Sequence, residues 1–181
     1  MNYNFDKKVI MATVDEETFS KALTSECDLV FMLSSDVLTV GEKIATAHKA
    51  GKKVFVHIDM ADGIGKDKLG VEYLRARRAD GIITTKNNLA LASKKAGMAV
   101  VQRFFIIDSK SIQTAIESVR TVRPDMVELM PGVVYKAIEK FSREVNIPVI
   151  AGGLIASLDE VKNALKSGAS AVSTTKTELW V

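Results

Sequence analysis

The chain predicts an α/β fold, a compact (β/α)8 barrel of the TIM type, on three observations. Short β-branched and apolar runs alternate with amphipathic segments eight times, and the runs begin about 23 residues apart, enough for a strand, a three-turn helix and two short loops. Polar or glycine residues gather at the C-terminal end of each run. The length of 181 residues suits one domain with one core, so residues 1–181 are expected to form a single barrel. An open doubly wound sheet is the alternative, but it needs a reversal in strand order that a sequence does not display.

The predicted strands are 9–13, 29–33, 54–59, 81–85, 99–104, 126–130, 148–152 and 171–175. Between them helical patterns cover 16–25, 39–49, 68–78, 88–95, 109–122, 133–145 and 158–166. In the fifth helix Ile112, Ile116 and Val119 share one side, the stripe of a helix that covers a sheet. Asp108 or Ser109 and Ser157 stand where N-caps are wanted, Ser157 with Glu160 three residues on as a capping box. Gly51, Gly97 and Gly168 follow helices in Lys-Ala-Gly-Lys, Lys-Ala-Gly-Met and Lys-Ser-Gly-Ala, the place for a residue that tolerates a left-handed backbone. After Thr175 only six residues remain, Trp180 among them, so the eighth helix is expected to be nearly absent.

Composition narrows the function classes. With 47% hydrophobic and 26% charged residues, 3 Pro and 11 Gly, the chain is neither low-complexity nor disordered. Apolar runs such as 98–101 and 104–107 fall far short of the roughly 20 residues that cross a bilayer, and no membrane partner is expected. Residues 1–13 lack the long apolar stretch of a secretory leader, so a cytoplasmic protein is expected. One cysteine and two histidines supply no metal site of conventional spacing, and no dinucleotide or P-loop motif calls for a cofactor. Cys27 reads as a small buried apolar residue. The net charge of +3 is near balance. Basic clusters at Lys52-Lys53, at Arg75 with Arg77-Arg78, and at Lys94-Lys95 fall near helix C-termini, where cations complement the dipole.

Chemistry concentrates at the strand ends, the face on which barrels of this kind carry their sites. Gly152 and Gly153 end predicted strand seven, and Ser173, Thr174 and Thr175 end strand eight. In many barrels these two loops cradle a phosphate, because glycines let backbone amides approach an anion while hydroxyls and a cation complete the shell. Lys86 after strand four, Arg103 on strand five and Glu128 on strand six place both signs of charge where a small polar ligand would sit, paired with each other or with that ligand. His57 and Asp59, two apart, are expected on one side of strand three, as an acid and base or as contacts to hydroxyl groups. No nucleophile stands beside an evident base, so no catalytic residue is assigned.

The segments Val56-His57-Ile58-Asp59 with Asp62-Gly63, Gly81-Ile82-Ile83-Thr84-Thr85, Gln102-Arg103 through Asp108-Ser109, Val127-Glu128-Leu129-Met130-Pro131-Gly132-Val133, Ala151-Gly152-Gly153-Leu154-Ile155, and Ala171-Val172-Ser173-Thr174-Thr175 with Glu178-Leu179-Trp180 resemble the glycerol-uptake operon antiterminator regulators. The resemblance covers nearly the whole chain. It implies a barrel that binds glycerol 3-phosphate and, with it, an mRNA leader, prevents transcription termination and regulates glycerol metabolism genes; the sequence leaves a homo-oligomer open. Two departures stand out: Lys86 where an arginine is usual, and Lys176-Thr177 where a more basic stretch precedes Glu-Leu-Trp. Lys86 keeps a cation but not the planar fork of a guanidinium. If RNA is held, Arg75, Arg77, Arg78, Lys94, Lys95 and Lys176 are the candidate contacts by charge. The alternative function on the same fold is a phosphosugar isomerase or lyase, with Glu128 or Asp59 as base and Lys86 or Arg103 holding a developing anion.

Overall fold

The computed structural model describes residues 7–180, so the leader reading of residues 1–6 lies outside the described residues. Eight strands, β1 Val9–Thr13, β2 Leu29–Met32, β3 Lys53–His57, β4 Gly81–Thr84, β5 Ala99–Phe105, β6 Met126–Met130, β7 Val149–Gly152 and β8 Ala171–Thr174, pair in parallel in chain order. β8 pairs back onto β1, with Val9 opposite Val172 and Met11 opposite Thr174, and this closure excludes the open sheet. The helices between them are α1 Glu16–Thr24, α2 Val40–Lys49, α3 Lys68–Ala76, α4 Asn87–Lys95, α5 Ser109–Val122, α6 Tyr135–Glu144 and α7 Leu158–Lys166. Beyond β8 a single 3-10 turn, Thr177–Leu179, stands where an eighth helix would run.

The barrel interior is filled from alternate strand positions, as a two-residue pleat requires. Ile10, Ala12, Leu29, Phe31, Phe55, Ile83, Val101, Met126, Ile150 and Ala171 form that inner cluster. Phe31 and Phe55 lie with ring centroids 5.9 Å apart, and small neighbours make room for them. A Cβ on Gly81 would sit 2.3 Å from the Phe55 ring, so this strand position admits glycine alone. The opposite faces of the strands pack against the helices in two larger clusters. The gap left by the missing helix is closed by Trp180, which packs with Met11, Ala22, Cys27 and Val30 and donates its indole N–H to the Thr174 carbonyl at 2.9 Å.

Helices run antiparallel to the strands, so their N-termini ring the mouth where the strands end. Asp15, Asp67, Asp108 and Ser157 cap four of them through side-chain acceptors. At α7 the Glu160 carboxylate accepts from the Ala156 amide at 2.7 Å, one residue before the cap, so the box there is offset. Gly51, Gly97 and Gly168 adopt φ of 75°, 74° and 100° just past their helices, as their repeated tripeptides predict. Predicted strand three is shorter than expected: it ends at His57, and Asp59 belongs to a 3-10 turn, Ile58–Met60. Two short segments at the mouth, Ser35–Asp36 and Ala61–Asp62, pair in parallel apart from the barrel.

Candidate functional site at the barrel mouth

The pleat that buries Phe55, Val101, Met126, Ile150 and Ala171 inward also turns inward the residue two positions later on each strand. Those residues are His57, Arg103, Glu128, Gly152 and Ser173. Strand register sets Arg103 directly opposite Glu128 and Ser173 opposite Gly152. Arg103 Nε donates to Glu128 Oε2 at 2.5 Å, and Ser173 Oγ donates to Glu128 Oε1 at 2.5 Å. Arg103 is 6% and Glu128 1% exposed, so neither charge could be held here without the other. Gly152 is glycine for the same reason: a Cβ would stand 2.4 Å from Glu128 Oε1 and 2.7 Å from Ser173 Oγ.

Arg103, Glu128, Gly153, Leu154, Ser173, Thr174 and Thr175 share the wall of a cavity of about 170 Å³. Gly152 is not part of that wall, and it supports the site through the carboxylate it admits. The cavity rim at β7 is a tight reversal in which Gly153 and Leu154 both take positive φ, 76° and 61°. A leucine in the left-handed region costs about 1–2 kcal/mol, and side chains so held cluster where a ligand is clamped. The surrounding loop is pinned: the Gly132 amide donates to the Gly152 carbonyl at 2.6 Å, and Thr174 Oγ1 donates to the Ile155 carbonyl at 2.8 Å.

Behind Arg103 a second polar group continues across the mouth. Arg103 Nη1 lies 3.5 Å from His57 Nδ1. Nε2 is buried without a hydrogen-bond partner, 3.8 Å from Asp59 Oδ2. Burial first, and then the Arg103 cation, push the His57 pKa from 6.5 down to about 4 against the pull of Asp59, so the ring is neutral at pH 7. Burial pushes the Asp59 carboxyl up. It is outweighed by the Thr84 hydroxyl and by the Thr85 amide and hydroxyl, each at 2.7 Å, so Asp59 titrates below its ordinary value.

Lys66 joins this group, and sequence reasoning did not single it out. Its ammonium donates to the Ala61 carbonyl, and burial, joined by the charge of Lys86, lowers its pKa against Asp59 and Asp62. The signal available was a glycine on either side of it, Gly65 in its loop and Gly70 in the first turn of α3: a Cβ on Gly70 would meet the Gly65 carbonyl oxygen at 1.8 Å, so the loop folds down onto the start of α3. Lys86 itself is exposed at the N-cap of α4, off the cavity wall. Gln102, polar near the end of β5, faces outward to Asn87 at 2.6 Å and Ser118 at 2.9 Å and ties helices to the sheet.

The six basic RNA candidates do not converge. Arg75, Arg77 and Arg78 stand at or just past the C-terminal end of α3, and Lys94 and Lys95 at that of α4, toward the face where the strands begin. Arg75 pairs with Glu72 at 2.7 Å, Lys94 with Asp125 at 2.8 Å, and Arg77 lies over the Tyr73 ring at 5.1 Å. Lys176 alone is at the mouth. Among the described residues no three His, Cys, Asp or Glu side chains group as a metal site, and no helix is long and apolar enough to cross a membrane.

A closed eight-stranded parallel barrel with a cavity among its strand ends defines a TIM-type barrel. The chain belongs to the glycerol-3-phosphate responsive antiterminator family, whose description matches residues 9–180. It is similar to the glycerol uptake operon antiterminator regulatory protein of Listeria monocytogenes, with 32% identity, a TM-score of 0.92, and 97% of this chain and 95% of that one covered. A glycerol uptake operon antiterminator-related protein of Thermotoga maritima aligns at 35% identity and TM-score 0.86, covering 95% of this chain and 96% of the other. An uncharacterized Escherichia coli K12 protein, YgcP, is 32% identical across 95% of this chain and 91% of its own length. Aldolases at 14% identity share the fold alone. The family is one of transcription regulators rather than enzymes.

Proposed function

We propose that this chain binds glycerol 3-phosphate in the cavity between β5 and β8 and, in that state, holds an mRNA leader in the cytoplasm so that transcription of glycerol metabolism genes continues. The observation that carries the ligand half is the wall itself: a buried Arg103–Glu128–Ser173 chain faces the Gly153-Leu154 reversal across a cavity of about 170 Å³. The phosphate belongs at the open side, with Gly153, Leu154 and Thr175. The glycerol hydroxyls belong at the buried side. His57 and Asp59 support Arg103 from behind, and Lys66 and Lys86 add positive potential at the entrance. The RNA half rests on the family, with Arg75, Arg77, Arg78, Lys94, Lys95 and Lys176 as candidate contacts and a homo-oligomer as an open assembly.

Thermal unfolding tests the ligand half. At 100 times its dissociation constant a ligand stabilises the native state by about 2.7 kcal/mol, which for a chain this size raises the melting temperature by roughly 5–11 °C. Glycerol 3-phosphate is expected to give that shift, and glycerol alone is not. No shift at millimolar glycerol 3-phosphate would remove the ligand from this site.

A further inference from the structure

The two buried hydroxyls of the cavity wall have spent their protons. Ser173 gives its proton to Glu128 Oε1 at 2.5 Å, and Thr174 gives its proton to the Ile155 carbonyl at 2.8 Å, so toward the cavity both oxygens can only accept. Glu128 is in the same position. A carboxylate offers about four lone-pair sites, of which Ser173 takes one on Oε1 and Arg103 one on Oε2. One site therefore remains on each oxygen of a group that is 1% exposed and forms part of the wall. Apart from Arg103, the polar groups on the buried side of the cavity are acceptors, set among Ala12, Leu33, Met130 and Ile155.

Such a surface demands donors from whatever fills it. We infer that Glu128 makes this site selective for the alcohol oxidation state of its ligand, taking a phosphorylated vicinal polyol and rejecting the phosphorylated hydroxyketone of the same carbon skeleton. Two neighbouring hydroxyls can each give a proton to one carboxylate oxygen, the way an acidic side chain holds the ribose hydroxyl in dinucleotide-binding folds. A ketone oxygen at the same position brings only lone pairs, sets acceptor against acceptor in a buried place, and leaves a carboxylate site unpaired. Arg103 has its Nε committed to Glu128 and its Nη1 facing His57, which leaves Nη2 as a donor toward the cavity, but a ketone that accepts from Nη2 still brings no proton to the two open Glu128 sites. The inference rests on the ligand reading above and adds to it which chemical group the buried side reads.

Calorimetric titration of the intact chain tests it with four probes: glycerol 3-phosphate, dihydroxyacetone phosphate, and the two propanediol phosphates that each lack one hydroxyl. Loss of a hydrogen bond to a charged group is worth roughly 10- to 150-fold in affinity, and the ketone and at least one deoxy probe are expected to weaken by that factor. Glu128→Gln is expected to bring the alcohol-to-ketone ratio within about threefold, because a carboxamide can turn a donor toward a carbonyl. Should Glu128→Gln unfold for want of a partner for Arg103, the analogue series on the unaltered chain decides alone. Equal affinity for the alcohol and the ketone would overturn the inference and leave the ligand reading standing. An unchanged ratio in a folded Glu128→Gln chain would also overturn it. No binding of glycerol 3-phosphate at all would overturn the ligand reading, and this inference with it.

Discussion

His57 is neutral because it is buried beside a cation, and that state makes stability depend on pH. Its pKa is about 4 in the folded chain against an ordinary 6.5, so between those values the unfolded chain binds the proton and the folded one does not. Stability is therefore full above pH 6.5 and falls as pH drops toward 4, by up to about 3 kcal/mol from this one group. Urea midpoints measured from pH 4 to 7 are expected to show that slope, and His57→Gln is expected to flatten it. Asp59 contributes in the same direction but in a lower window, since its depressed pKa matters only once pH falls below the ordinary carboxylate range. At this scale the sequence offered charges of both signs and left open which of them pair. That Arg103 and Glu128 meet depends on the register of β5 against β6, and that Gly152 exists to admit a carboxylate depends on β6 against β7. Register is a tertiary quantity, so a reading of residues one strand at a time cannot contain it.

Helices and strands were legible almost to the residue, because each carries its own punctuation. The strands 9–13 and 126–130 and the helices 109–122 and 158–166 stand where the periodicity puts them, and Gly51, Gly97 and Gly168 mark three helix ends. Where a helix ends without glycine the text is silent: α3 and α5 close with Arg78 at φ 67° and Arg123 at φ 53°, which no arginine announces. The turn after His57 and the pairing of Ser35–Asp36 with Ala61–Asp62 were equally illegible, since two- and three-residue elements have no period to show. The glycine marks can be tested against one another. A Cβ on Gly51 or Gly97 meets nothing within 4 Å, so Gly51→Ala and Gly97→Ala isolate the left-handed backbone and are each expected to cost about 1–2 kcal/mol. Gly168→Ala adds contact at 2.4 Å with Ser142 Oγ and is expected to cost more, with part of the excess returned by Ser142→Ala. Chemical denaturation of the four variants checks the order.

Across the whole molecule, charge follows helix direction: acceptor caps such as Asp15, Asp67 and Asp108 sit at the mouth, and the Arg75–Arg78 and Lys94–Lys95 clusters sit toward the far end. The mouth cavity and most of the candidate RNA contacts are therefore separated by the barrel, and antitermination that responds to a ligand at the mouth requires coupling between them. Arg75 and Lys94 already have carboxylate partners, which leaves Arg77, Arg78 and Lys95 as the far-end cations with least to lose. For a single-stranded leader each phosphate contact contributes about −0.7 to the slope of log affinity against log salt. The triple variant Arg77→Gln, Arg78→Gln, Lys95→Gln is expected to flatten that slope by about 2, whereas Lys86→Gln with Lys176→Gln would flatten it by about 1.4 instead if RNA lies over the mouth. Linkage supplies the second measurement. Whatever factor glycerol 3-phosphate adds to leader affinity, typically 5- to 150-fold for coupled sites, the leader must add to glycerol 3-phosphate affinity. Filter binding across a salt series with and without ligand, set beside ligand titration with and without leader, reads both factors. A far-end footprint with equal factors requires the barrel to hold two states that the ligand selects between, because no contact joins the two partners directly. A mouth footprint needs no second state: RNA would close over the bound ligand, and the coupling would vanish with the Lys86 and Lys176 substitutions while the far-end variants kept it.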